Sequence, residues 1–89
     1  NDAFPNPFNP STVINYQLPI DSRVSLKVYN VLGQVANILA EEVQEAGFKS
    51  ITWNASGSTS GIYFIKLEAI NITDPSKVFT QVKKVLLLK

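Results

Sequence analysis

Apolar and polar residues alternate with a period of two over most of this chain, the signature of strands with one face buried. Over residues 12–18, Ile14, Tyr16 and Leu18 alternate with Asn15 and Gln17 until Pro19 stops the run. Over 23–29, Val24, Leu26 and Val28 alternate with Ser25 and Lys27. Over 48–54, Lys49, Ile51 and Trp53 alternate with Ser50 and Thr52. The pattern is strongest over 62–70, with Tyr63, Ile65, Leu67 and Ala69 on one face and Phe64, Lys66 and Glu68 on the other. A last strand is expected over 78–88, rich in β-branched and apolar residues.

The connections carry turn chemistry. Within 30–34, Gly33 is the residue that takes a positive φ at least cost, so it is assigned a structural role in a hairpin turn. The return strand is expected over 35–40, although 36–42 also suits a short helix. Glu41, Glu42 and Glu45 are expected to surround a solvated connection that ends at Gly47. Residues 55–61 and 74–77 are loops by composition. The expected architecture is all-β, a small antiparallel Ig-like β-sandwich of six to seven strands, with strand spacing of roughly 8–14 residues.

Residues 1–10 differ from the rest. They hold three of the five prolines, and each proline pushes its predecessor toward extended geometry. We read 1–10 as an extended Pro-rich lead-in and 11–89 as a single sandwich domain. Within the lead-in, Pro7, Phe8 and Pro10 are assigned a structural role, as a stiff edge that caps the sandwich and discourages strand-to-strand association. The chain opens Asn1-Asp2 without a leading Met and without a secretory signal, as expected of a piece of a longer polypeptide whose leader lies upstream.

Composition narrows the chemistry. A chain of 89 residues supports one core, and without cysteine that core has no disulfide to reinforce it. Eight basic and seven acidic residues give a net charge of +1, which argues against a nucleic-acid partner. The apolar runs at 62–65 and 85–88 are too short to span a bilayer. With neither His nor Cys, a Ser-His-Asp or Cys-His arrangement is impossible, and the carboxylates fall mostly in expected turns. No catalytic residue, no cofactor and no metal ligand is therefore assigned; nothing matches a calcium-binding Asp-x-Asp-x-Asp-Gly loop. Trp53 is in phase with Ile51 and is assigned to the core, against the alternative of a sugar-stacking platform. Phe64 points away from Tyr63 and Ile65, toward the outer face.

Three stretches occur together in a specific order. They are Pro5-Asn6-Pro7-Phe8-Asn9-Pro10-Ser11-Thr12 running into Ile14-Asn15-Tyr16-Gln17-Leu18-Pro19, then Val24 through Val28-Tyr29-Asn30-Val31-Leu32-Gly33-Gln34, then Gly61-Ile62-Tyr63-Phe64 with the terminal Lys83-Lys84-Val85-Leu86-Leu87-Leu88-Lys89. The combination resembles the type A C-terminal sorting domain of type IX secretion substrates in the Bacteroidetes and related phyla. Its pattern overlaps with the Ig-like domain of flagellar hook-capping proteins. The resemblance implies a folded address recognised by outer-membrane secretion machinery, often removed by a sortase-like peptidase, on a protein exported through the periplasm to the cell surface or medium. By matched position it carries recognition onto Gly61, Tyr63, Lys83, Lys84, Val85, Leu86, Leu87 and Lys89. Asn30 departs from the family, which commonly has aspartate before Val-Leu-Gly, and the 70–78 connection is longer than usual. Two other functions fit the residues: a structural Ig-like module of a flagellar cap or adhesin, and a carbohydrate-binding module of a secreted hydrolase. Oligomeric state is left open.

Overall fold

The computed structural model describes residues 3–4, by their backbone, and 11–88. The expected roles of Pro7, Phe8, Pro10 and Lys89 lie outside the described residues. Among the described residues every regular element is a strand: β1 (Ala3–Phe4), β2 (Ser11–Leu18), β3 (Ser22–Tyr29), β4 (Val35–Gln44), β5 (Gly47–Asn54), β6 (Gly61–Asn71) and β7 (Val78–Leu87). They form a three-stranded sheet in the order β1-β2-β5 and a four-stranded sheet in the order β4-β3-β6-β7, every pairing antiparallel. In immunoglobulin lettering this is A-B-E over C′-C-F-G, so the all-β sandwich expected from the alternation is the fold.

The two sheets close on the residues that alternation placed inward. Ile14, Tyr16, Leu18, Val24, Leu26, Val28, Trp53, Tyr63, Ile65 and Leu67 are buried, while Ile51 is only partly so. The core also takes in Ala55, Ala69, Val85 and Leu87. Trp53, 1% exposed, meets Tyr63 edge to face, with ring centroids 5.3 Å apart and planes at 70°. That geometry sets the positive ring edge of one against the negative face of the other and adds about 0.5–1.5 kcal/mol beyond burial.

The turns obey the expected chemistry. Gly33 has φ +80° and donates its N–H to the Asn30 carbonyl at 3.0 Å. Asn30 does more than its place in the turn required: its Oδ1 accepts from the N–H groups of Leu32 (2.9 Å) and Gln34 (3.0 Å). At the opposite end, Asn71 Oδ1 accepts from the Thr73 N–H and hydroxyl and from the Asp74 N–H, and Asp74 in turn accepts from Ser76. Asp21 ties two connections together, its carboxylate accepting from the Ala46 N–H at 2.8 Å and its carbonyl from the Ile72 N–H at 3.4 Å.

One expectation is corrected. Neither a helix nor a loose connection occupies 36–44; β4 runs without a break from Val35 through Glu41 and Glu42 to Gln44. It is an end strand, and most of its side chains stay exposed on both faces, so carboxylates there keep their hydration and no alternation is required. Its ladder to β3 shifts register twice, between Leu26 and Lys27 and between Val28 and Tyr29. Such irregularities twist an edge away from accidental pairing.

Candidate recognition surface

The last hairpin holds seven of the eight residues to which the resemblance assigns recognition. β6 and β7 pair over ten consecutive positions with no shift in register, from Gly61↔Leu87 through Tyr63↔Val85 and Phe64↔Lys84 to Ile70↔Val78. Because side chains alternate across a strand, this ladder divides the set between two faces. Tyr63, Val85 and Leu87 point inward and are buried; Lys83 shares their face but is half-buried. Lys84 and Leu86 point outward and are exposed. Gly61 sits at the head of the hairpin with φ +151°, a conformation that side chains of L-residues resist.

Tyr63 has a specific structural duty. Its hydroxyl donates to the Thr59 carbonyl at 2.7 Å, four residues upstream, where the chain crosses from one sheet to the other. A tyrosine near the start of strand F bonded back to the preceding corner is the tyrosine corner of immunoglobulin-like sandwiches. It pins the 55–60 loop, in which Ser58 N–H also bonds to the Ala55 carbonyl at 2.9 Å.

The outward residues of the hairpin continue onto a wider surface. Opposite Leu86 stands Ile62 and opposite Lys84 stands Phe64; Phe64 in turn stands opposite Tyr29 of β3. Ile62, Leu86 and Val82 are exposed, and Phe64 and Tyr29 are half-buried. Lys27 and Lys66 face each other in the next row, with Lys27 Nζ at 3.9 Å from Glu41. The pair is solvent-exposed and contributes little, about 0–1 kcal/mol. The result is an apolar and aromatic patch edged by lysines on the outer face of the four-stranded sheet. Matching residue by residue found Lys84 and Leu86 but not Ile62, Phe64 and Tyr29; their signal was the second phase of the same alternation.

Chemistry is sparse elsewhere. Among the described residues no three His, Cys, Asp or Glu side chains gather as a metal site would need. No helix of the described residues is long and apolar enough to cross a membrane. Among the described residues the one titration clearly displaced is that of Tyr16. Burial raises its phenol above the ordinary value of 10.0, and the Glu42 carboxylate adds to the rise; its hydroxyl donates to Gln44 Oε1 at 2.7 Å.

The described residues thus form a small immunoglobulin-like sandwich whose last hairpin carries a lysine-edged apolar patch on its outer face. The chain is similar over residues 2–83 to the family model of the secretion system C-terminal sorting domain. With nearly its whole length matched, the chain belongs to that family. The family is the C-terminal sorting signal of type IX secretion, and its presence implies export to the cell surface or secretion. No curated protein and no solved structure matches the chain.

Proposed function

We propose that the export machinery at the outer membrane reads the outer face of the last hairpin, with Lys84 and Leu86 at its centre. The single observation that carries this reading is how the β6–β7 ladder divides the residues to which the resemblance assigns recognition: in the folded domain, Lys84 and Leu86 are presented, while Tyr63, Val85 and Leu87 are turned into the core. The buried members serve by holding the surface flat and in register. Lys83 and Gly61 border it, and Ile62 and Phe64 extend it. Recognition needs no chemistry from the domain itself, and a sortase-like peptidase supplies any cleavage that follows. Trp53 is unsuited to stacking on a sugar because both of its faces are inside the sandwich.

The test is export of the native protein from a type IX-competent bacterium, comparing wild type with a Lys84→Glu, Leu86→Ser variant. Both positions are exposed, so unfolding free energy should move by less than about 1 kcal/mol, checked by urea titration. Export is expected to fall sharply while the fold is kept. Normal export of the folded variant would remove this face from recognition. A wild-type domain that is folded and still not exported would leave the structural Ig-like module as the better reading.

A further inference from the structure

The outward side chains of β4, β3 and β6 stand in rows across the four-stranded sheet. One row holds Ile38, Lys27 and Lys66, and the next holds Glu41, Ser25 and Glu68. A basic row thus lies beside an acidic one. Lys27 and Lys66 stand directly opposite each other, an arrangement that costs stability within a sheet. Lys27 is relieved by Glu41 at 3.9 Å. Lys66 and Glu68 are half-buried, and among the described residues neither has an ion pair or a hydrogen bond. Ser25 is the small residue of this face, and over it lies a hollow of about 220 Å³ whose lining includes Arg23, Glu41 and Glu68. The flanking rows are Val35, Tyr29 and Phe64 on the basic side and Val43, Arg23 and Ile70 on the acidic side.

We propose that this face is covered by the same face of a second copy, in a two-fold pair whose axis runs across the strands between the two charged rows. Such an axis exchanges the rows strand by strand. Lys66 of each copy meets Glu68 of the other, and Lys27 of each enters the hollow over Ser25 of the other, between Glu41 and Glu68. In the flanking rows Val35 meets Val43, Phe64 meets Ile70, and Tyr29 offers its ring to Arg23. An axis along the strands would instead set Lys27 against Lys66 across the interface, and that repulsion excludes it. The charge pattern therefore selects both the occupant and its orientation, because the basic row is complementary to the acidic row of the same surface. Stacked sheets cross at about 30°, so the match is closest at the centre, where Lys66 and Glu68 stand. With strands about 4.8 Å apart and about 3.3 Å per residue, the face from Tyr29 to Arg23 projects about 450 Å² per copy, below a standard interface. The pair is accordingly weak and reversible. It covers Phe64, and so competes with the recognition proposed above for export.

Sedimentation velocity over a concentration series tests this. The wild-type protein is expected to pass from monomer to dimer as concentration rises, and added salt should weaken the pair. Lys66→Glu sets carboxylate against carboxylate, and Glu68→Lys sets ammonium against ammonium. Each alone should raise the dissociation constant by about tenfold or more. Mixed in equal amounts, the two variants should form a heterodimer of wild-type strength, since each then supplies the charge the other lacks. Urea titration checks that each is folded. Should either unfold, the double reversal in one chain decides, because it keeps every pair and should dimerise as the wild type does. A wild-type protein that stays monomeric into the millimolar range would overturn the proposal. So would single variants that dimerise normally, a folded mixture that stays monomeric, or a folded double reversal that does not pair. Export enters none of these results: their failure leaves the sorting reading untouched, and a failure of export leaves the pair standing.

Discussion

Tyr63→Phe separates what the terminal hairpin does for the fold from what it does for recognition. The substitution keeps the ring that meets Trp53 edge to face and removes only the hydroxyl that donates to the Thr59 carbonyl at 2.7 Å. A neutral hydrogen bond is worth about 0.5–1.5 kcal/mol net. Thr59 is itself exposed, so water can take over its carbonyl and no large desolvation penalty adds to the loss. The expected cost is about 1 kcal/mol. For a domain of this size that lowers Tm by about 4–8 °C, and with a urea m-value near 1 kcal/mol per molar it moves the midpoint down by about 1 M. The assay is built in, because Trp53 is the chain's one tryptophan, is buried, and touches the altered ring. Export should stay at the wild-type level at any temperature where the variant is folded, since the hydroxyl faces the loop and not a partner. A stability change below about 0.3 kcal/mol would show that the corner bond holds nothing. Normal stability with lost export would refute the structural role outright and place Tyr63 in contact with the machinery.

Trp53→Ala should cost about 3–5 kcal/mol, the range for deleting a large core aromatic, read by circular dichroism during chemical denaturation; a loss below about 1 kcal/mol would contradict its burial. Tyr16 predicts sensitivity to alkali. Its folded pKa is raised above 10.0, so its contribution is fully present below about pH 10 and is lost as pH rises through the folded value. Tyr16→Phe should flatten the decline of stability above pH 10, and an identical decline in the variant would assign the effect to other groups.

How much of this was legible depends on how each strand meets water. β2, β3 and β6 have one buried face and one more exposed face, and their alternation named the core from Ile14 to Leu67. Gly33 was legible because a single residue in its turn tolerates positive φ. β4 was not, since an end strand exposed on both sides accepts Glu41 and Glu42 as readily as a loop does. β7 was half legible. Its apolar tail announced a strand, but Val85 and Leu87 read the same as Leu86 in composition, and only pairing to β6 tells inward from outward. The outer patch at Ile62, Phe64 and Tyr29 had only the second phase of the alternation as its sequence signal. The tyrosine corner had a faint one, a Tyr at the start of a strand with a loop four residues behind it.

The topology also dictates when this domain can come into being. β2 waits for β5, with Ser11 opposite Asn54, and β3 waits for β6, with Ser22 opposite Asn71. Pairings at such separation along the chain place the domain among slow folders, on the millisecond-to-second scale, because loop closure is spent before contacts reward it. β7, the last of the described strands, supplies Val85 and Leu87 to the interior, so a chain cut short before it cannot close the core. Formation of the sandwich thus certifies that synthesis has run through β7, and an interrupted polypeptide would carry the letters of the address without its shape.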